Sequence, residues 1–184
     1  MKFLPKMNKI VAALVAGLVS NASLVQAADH VDCQLVSVNQ EAKIVALDAA
    51  TGDLFGYRVA IDGDTMVTSS LRDDDGGEQS GSAHVYVRNG NEWSLQAKLV
   101  ASDAEAGDRF GWGVSINGNT VVIGAPGVDD AGSRSGSAYV FVRDGTSWTQ
   151  QAKLAASDAN LGDWLGVSVS ISGDTVVVGA FRDN

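Results

Sequence analysis

Cysteine, proline and histidine are scarce in this chain, which holds one Cys, two Pro and two His among 184 residues. Cys33 has no second cysteine to pair with, so it forms an intermolecular disulfide, carries a lipid at a mature N-terminus, or is an incidental thiol. The two histidines, His30 and His84, lie in no zinc-binding or nucleophile-activating motif. No segment has the 3.6-residue hydrophobic period of a helix. These absences exclude a disulfide-stapled fold and predict an all-β chain with no recognisable catalytic motif.

Basic residues are scarce outside the N-terminus. Residues 1–27 contain three of the 13 Lys and Arg and none of the 22 acidic residues, which leaves the remainder with a net charge of −12. Phosphate contacts need clustered Lys and Arg, and an anionic membrane surface attracts basic patches. The composition therefore predicts no nucleic-acid partner and no binding to an anionic membrane surface.

The first 27 residues have the pattern of a secretory signal peptide. Three lysines precede an uncharged apolar run at residues 10–19, and small residues lead to a cleavage point after Ala27. The apolar run covers only about half of a bilayer's hydrocarbon core, so a membrane anchor is the weaker interpretation. We expect a secreted, periplasmic or cell-surface protein with no membrane insertion after cleavage.

The remainder of the chain repeats every 55 residues. A Gly-Asp-x-x-Gly motif recurs at residues 52–56, 107–111 and 162–166, and Ser-Gly-Ser-Ala recurs at 80–83 and 135–138. A fixed period of this size indicates a repeat architecture. We divide the chain into a signal peptide at residues 1–27, an N-terminal segment with a leading strand at 28–41, and three repeats at 52–106, 107–161 and 162–184. Residues 42–184 form the repeated region as a whole. Because 41–49 align on 96–104, we interpret the N-terminal stretch as the last strand of a preceding unit.

Turn residues divide each repeat into four strands. In the middle copy, Asn-Gly and Asp-Gly hairpin signals separate predicted strands at 110–116, 120–125, 135–143 and 147–154. The second strand is apolar on both faces at 121–123, so each sheet must be covered above and below. Four-stranded antiparallel sheets stacked face to face are the blades of a β-propeller, with an open stack of sheets as the alternative. Small residues at Gly111, Gly113 and Gly124 predict close backbone approach between blades.

The strand count predicts an incomplete ring: one leading strand, two full blades and half of a third. Propellers close with four to eight blades, so we expect further blades of a longer chain, or self-association, to complete it. A truncated gene product without function is the alternative.

Two stretches of the middle copy, residues 110–116 and 122–126, resemble the FG-GAP repeat of integrin α-chain propellers and their bacterial relatives. The resemblance implies a rigid extracellular scaffold for ligand or partner binding, usually with seven blades. Integrin-type repeats often bind Ca²⁺ in an Asp-rich loop between the first and second strands. Here that connection is a two-residue turn, for example at Asn117-Gly118, which cannot wrap six or more oxygens around a cation. The integrin calcium site is therefore not transferred.

The long loops concentrate acidic residues on one face. The candidates for a metal site are Asp103, Glu105, Asp108, Asp129 and Asp130, and the candidates for ligand binding are Asp73, Asp74, Asp75 and Glu78. No cofactor is expected; Ca²⁺ at these loops and a merely solvated acidic rim stay open as alternatives.

Two further sets of repeated residues have competing interpretations. Asp53, Asp108 and Asp163 are interpreted as caps on loop amides. Trp93 and Trp148 either pack between blades or stack on a sugar ring.

The sequence favours a non-catalytic scaffold that binds a protein or glycan through its acidic long-loop face. The alternative is a hydrolase or lyase whose catalytic loops lie in missing blades. An enzyme should break the repeat with His, Arg or carboxylates that converge near the axis, and the repeat is broken only weakly at His84 and at residues 68–70.

Overall fold

The computed structural model describes residues 42–182, so the predicted signal peptide and the N-terminal segment lie outside the described residues. The chain divides into two units, residues 1–45 and 46–184. Only residues 42–45 of the first unit are described, and they form no strand. Within the described range, no helix has the length and apolar character needed to cross a membrane.

The described part of the second unit is built from ten strands in three antiparallel sheets. The first sheet has the order β1-β2-β3-β4, the second β5-β6-β7-β8, and the third pairs β9 with β10. The strands are β1 (Phe55–Asp62), β2 (Thr65–Ser70), β3 (Ser82–Asn89), β4 (Glu92–Leu99), β5 (Gly113–Asn117), β6 (Thr120–Ala125), β7 (Ser137–Asp144), β8 (Ser147–Leu154), β9 (Leu165–Ser172) and β10 (Thr175–Ala180). This architecture confirms the predicted all-β fold of an incomplete propeller.

The hairpins that join first and second strands have the predicted length but a different register. Asn117 pairs with Thr120, so the loop residues are Gly118 and Asn119 and not Asn117 and Gly118. Gly118 has φ of 56°, while Asn119 is not among the residues with positive φ. Glycine at the first central position is the pattern of a type II′ turn. The turn is therefore as tight as expected, with two residues and no room for a metal loop.

The predicted leading strand belongs to the N-terminal segment at residues 28–41 and lies outside the described residues. Residues 42–46 form no strand, and a turn follows at Leu47 and Asp48.

The first strand of the middle blade begins at Gly113, three residues later than predicted. Arg109 and Gly111 have φ of 56° and 96°, which turns the chain before the ladder starts. Phe110 instead donates its amide to Ser80 O of the preceding blade at 2.8 Å. The sequence around Phe110 therefore has the pattern of a strand, but the amide of Phe110 is hydrogen-bonded to the preceding blade.

This contact links the two repeated motifs, because the Gly-Asp-x-x-Gly loop of one blade docks on the Ser-Gly-Ser turn of the blade before it. Leu165 N repeats the bond of Phe110 by donating to Ser135 O at 3.0 Å. A Cβ atom at Gly81 would lie 2.1 Å from Phe110 O, so the turn needs glycine there. The repeated motifs are therefore the two halves of a backbone lock between blades.

The main hydrophobic core lies between the first and second blades. Its fully or nearly fully buried members include Val67, Val85, Phe110, Val121, Ile123, Tyr139 and Phe141. The predicted close approach between blades is confirmed at the next interface, where a Cβ atom at Gly124 would lie 1.8 Å from Gly166 O. The blades are thus stacked at backbone contact, and the long loops are carried on a rigid support.

Candidate functional site

The long loops (residues 71–81, 100–112, 126–136 and 155–164) meet on one side of the blades, which we call the long-loop face. The loop that enters the second blade is bonded to the first, since Gly107 N donates to Glu78 O at 2.9 Å. The third blade repeats this contact, with Gly162 N donating to Ser133 O at 3.0 Å. The loops of successive blades are therefore held side by side as one surface.

A lysine ammonium lies at the centre of the acidic loops of the first blade. Lys98 Nζ is 2.6 Å from Asp48 Oδ2, 2.8 Å from Asp73 Oδ2 and 2.6 Å from Asp75 Oδ2. Among the described residues, these three aspartates are the one group of three or more potential metal-ligating side chains whose ligand atoms lie within 4.8 Å of one another. The position that a cation would take is thus filled by the chain's own ammonium group.

The pKa values of this cluster follow from the ammonium contact. Hydrogen bonding to Lys98 lowers the pKa of Asp48. Burial alone would raise the pKa of Asp73, but hydrogen bonds from Lys98, from the Asp75 amide and from Ser82 outweigh it and lower the pKa. Burial opposes the charge of Lys98 as well, yet its three carboxylate partners raise its pKa. Asp48, Asp73 and Lys98 are therefore charged at neutral pH.

The second blade carries a reduced version of this cluster. Lys153 Nζ is 2.6 Å from Asp103 Oδ2 and also contacts Asp130 Oδ2. Val128 takes the place of Asp73, and Tyr139 takes the place of His84. One aspartate is therefore missing, and the local charge is closer to balance than in the first blade.

All five predicted metal candidates line one shallow cavity of about 200 Å³ beside this second cluster. Its lining is Asp103, Glu105, Asp108, Val128, Asp129, Asp130 and Lys153. The five acids do not form a group of converging ligand oxygens within the described residues. The structure thus brings the predicted residues together but places a lysine among them.

Asp53, Asp108 and Asp163 have the capping role inferred from their repetition. Each carboxylate accepts a hydrogen bond from the amide three residues earlier, at 2.6, 2.8 and 2.6 Å respectively. All three side chains are buried, and burial raises the pKa of Asp108. These residues stabilise the entry loop of each blade and are not free for a ligand.

The remaining acidic candidates divide into loop-stabilising and exposed residues. Asp74 Oδ1 accepts from Gln79 N at 2.7 Å, and Asp129 Oδ1 accepts from Arg134 N at 2.6 Å. Glu78 and Glu105 are exposed. Most of the acidity of the long-loop face is therefore engaged in holding the loops in shape.

The repeated tryptophans lie on the outer strands. Trp148 Nε1 donates to Gln96 Oε1 of the preceding blade at 2.8 Å, which confirms inter-blade packing for this residue. Arg143 lies over its ring at 5.2 Å, as Arg88 lies over Trp93 at 5.6 Å. The ring of Trp148 is therefore already used by the protein.

Two features of the face were missed by reasoning from the sequence. The pairs Lys98–Asp48 and Lys153–Asp103 are each separated by 50 residues, and their signal was present as a repeated lysine on each outer strand. The second feature is an aromatic row of Tyr57, Trp112 and Trp164, one ring per blade. It gave a weaker signal, because Trp164 is offset by three positions from the other two in the repeat.

Comparison with known proteins identifies the family. A family model described as FG-GAP repeat matches residues 38–86, 93–141 and 148–184. No curated protein matches the chain. The matched segments cover well over half of the sequence and follow the same 55-residue period as the blades. The chain therefore belongs to the FG-GAP repeat family.

Proposed function

We propose that this protein is an exported, non-catalytic β-propeller scaffold that binds a protein or glycan through its long-loop face. The observation that carries the proposal is the backbone lock between blades. It holds the loops of three successive blades beside one another, for example through Phe110 N to Ser80 O at 2.8 Å. A rigid surface of this kind loses little conformational entropy when it binds a partner.

The surroundings of the titratable groups support a binding role over a catalytic one. His84 is 1% exposed, and its Nε2 lies 3.4 Å from Asp48 Oδ1. Burial lowers the pKa of His84, so the ring is neutral at neutral pH. The aspartates of the face bond to loop amides or lysines, whereas a catalytic acid or base must reach a substrate.

Export rests on the signal pattern of residues 1–27. Tagged full-length protein, expressed with and without residues 1–27, should be cleaved and recovered outside the cytoplasm only when the segment is present. Retention of the full-length form inside the cell would contradict export.

We also propose that the free sheet faces are covered by further blades of a longer chain or by a second copy. Ile61 and Val177 are 50% and 62% exposed, whereas the equivalent Ile116 and Val122 are 8% and 0% exposed between blades. The outer faces thus have the apolar residues of an inter-blade interface without its cover. Light scattering of the purified chain distinguishes a closed oligomer from a monomer.

A comparison of the two faces tests the binding role. The protein would be applied to arrays of glycans and of cell-surface proteins, together with two charge-reversal variants. Glu105→Lys alters the long-loop face, and Glu92→Lys makes the same change at a tight turn on the opposite side; both residues are exposed. We expect the first to change ligand binding and the second to leave it intact. The reverse pattern, or turnover of an arrayed ligand, would contradict the proposal.

A further inference from the structure

We propose that the aromatic row, together with four arginines stacked on it, forms a binding strip for a carboxylate-rich segment of a partner protein. The inference rests on the proposed function and names the surface and the ligand chemistry. The strip crosses all three blades where their first strands begin. It is a cationic line within an acidic face.

The aromatic row is continuous from blade to blade. The ring centroids of Tyr57 and Trp112 lie 5.7 Å apart, and those of Trp112 and Trp164 lie 6.1 Å apart. The interplanar angles of 61° and 83° are edge-to-face, a favourable arrangement for aromatic rings. All three residues are half-buried, so the row is anchored in the blades and still reaches solvent.

Each ring of the row carries at least one guanidinium group. Arg58 lies 4.5 Å from the centroid of Tyr57, and Arg109 lies 5.9 Å from that of Trp112. Trp164 has two such neighbours, Arg134 at 5.5 Å and Arg182 at 5.6 Å. Cation–π contact orients these side chains over the rings.

These four arginines form no ion pair with a carboxylate in the part of the chain that the structure describes. Lys98 and Lys153, by contrast, each contact two or three aspartates. With 22 acidic residues in the chain, unpaired guanidinium groups are unexpected on a face this acidic. Arg58 Nη1 donates to Tyr57 O at 3.2 Å. A stacked guanidinium has further in-plane N–H donors, and two of them match the geometry of one carboxylate.

The fold does not require Arg58, Arg109 or Arg134, because these three interrupt the repeat, whereas Arg182 has Arg72 as its counterpart in the first blade. Arg58, Arg109 and Arg134 stand where other copies carry different residues. Gly113 and Ser168 are the counterparts of Arg58, Leu54 and Trp164 are those of Arg109, and Gln79 is that of Arg134. Residues that hold the blades together recur every 55 positions, so residues that depart from the repeat on an exposed face are free to serve recognition.

The arrangement favours a protein segment over an acidic glycan. A sugar ring needs an open aromatic face, and each ring here already has a guanidinium over it. Trp, Tyr and Arg are also the residues that dominate the energetics of protein–protein interfaces. The aspartates beside the strip repel a uniformly charged polymer, whereas a peptide can place carboxylates at the arginines alone.

The repeat itself supplies conservative test variants. Arg134 has φ of 57°, and its counterpart Gln79 has the same φ, so Arg134→Gln places a residue that this backbone already accepts. Arg109→Leu is equally conservative, since Leu54 occupies that position with φ of 57°. Arg72→Gln is the matched control: Arg72 is exposed on a long loop and lies over no described ring.

The probe is a capped Glu-Ser-Glu-Ser-Glu peptide titrated into the protein at low salt, with binding followed by calorimetry and by tryptophan fluorescence. We expect Arg134→Gln and Arg109→Leu each to weaken binding by about tenfold or more, the loss for one charge-assisted contact. Arg72→Gln should change it by less than about twofold, since it removes an exposed, solvent-screened charge that lies over no ring of the row.

Three results would overturn the inference: no binding of the peptide, equal weakening by Arg72→Gln, or tighter binding of an oligouronate of the same charge. The arrays and the Glu105→Lys variant decide the broader proposal separately. If arrayed ligands bind and respond to Glu105→Lys while the peptide fails, the strip is wrong and the scaffold function stands. If no ligand binds in either assay, both fail.

Discussion

The substitution Gly124→Ala probes the contact that sets the distance between the second and third blades. Gly124 lies on β6 and faces Gly166 at the start of β9. A Cβ atom at Gly124 would lie 1.8 Å from Gly166 O, 2.7 Å from its carbonyl carbon and 2.9 Å from its Cα. All three neighbours are backbone atoms of another blade, so no side-chain rotation can relieve the clash.

The geometry sets the size of the effect. The carbonyl oxygen must retreat by about 1.2 Å to reach even 3.0 Å, below which real Cβ contacts essentially do not occur. Blades packed at interior density cannot absorb such a shift locally, and overpacking of this kind costs about 3 kcal/mol at the upper end of the usual range. For a unit of this size, that loss lowers Tm by about 10 °C.

The repeat offers a matched control at Gly179, the counterpart of Gly124 in the third blade. There an added Cβ meets Ser168 Oγ at 2.4 Å, and the next atom is 3.7 Å away. A serine hydroxyl can rotate aside, so we expect Gly179→Ala to cost less than about 1 kcal/mol. Urea unfolding followed by circular dichroism measures both variants. Equal losses for the two would refute the claim that backbone contact sets the blade spacing.

The remaining predictions concern the loop clusters and the outer strands. Burial lowers the pKa of His84, so the imidazole of the unfolded chain takes up a proton near pH 6.5, before that of the folded chain does. The free energy of unfolding should therefore fall as the pH falls below about 6.5. In His84→Tyr, the urea midpoint should depend less on pH. Lys98→Met should destabilise the fold and create a Ca²⁺ response in Tm, because three carboxylates lose their cation, whereas Lys153→Met, with two aspartates, should respond less. Trp148→Phe should cost about 1 kcal/mol in urea unfolding, because Gln96 loses its indole donor.

A specific result would contradict each of these three predictions. A pH profile that is unchanged by His84→Tyr would show that the buried ring does not control acid stability. Absence of a Ca²⁺ response in the Lys98 variant would show that the aspartates need the ammonium to stay together. Full stability of the Trp148 variant would show that the outer strands do not fasten the blades.

Much of the blade could be predicted from local pattern. The strands at Thr120–Ala125 and Ser147–Leu154 were located to the residue, because β-branched runs bounded by turn residues leave little choice. The start of β5 was misplaced, since Phe110 bonds to Ser80 of another blade and local pattern does not show an inter-blade bond. The turn register was also misplaced, because Asn117 is held in the ladder by its pairing with Thr120.

For the acidic candidates too, some properties could be predicted from the local sequence and others depend on the tertiary structure. Reasoning from the sequence grouped the aspartates of each loop and assigned the capping role of Asp108. It did not find the ammonium groups of Lys98 and Lys153, since each lysine reaches an aspartate 50 residues away. A cluster of aspartates in the sequence therefore resembles a metal site even where a lysine of the same chain already neutralises part of its charge.

The 55-residue period and the turn residues by themselves determined the all-β class, the four-stranded blades and the need for glycine between them. These features arise from backbone conformation and side-chain volume, which act within one repeat. Only the tertiary structure decided which side chains of neighbouring blades contact one another. The row of Tyr57, Trp112 and Trp164 takes one ring from each blade, and its partners become neighbours only when the blades stack. The proposed binding strip therefore depends on contacts between repeats, which no single repeat encodes.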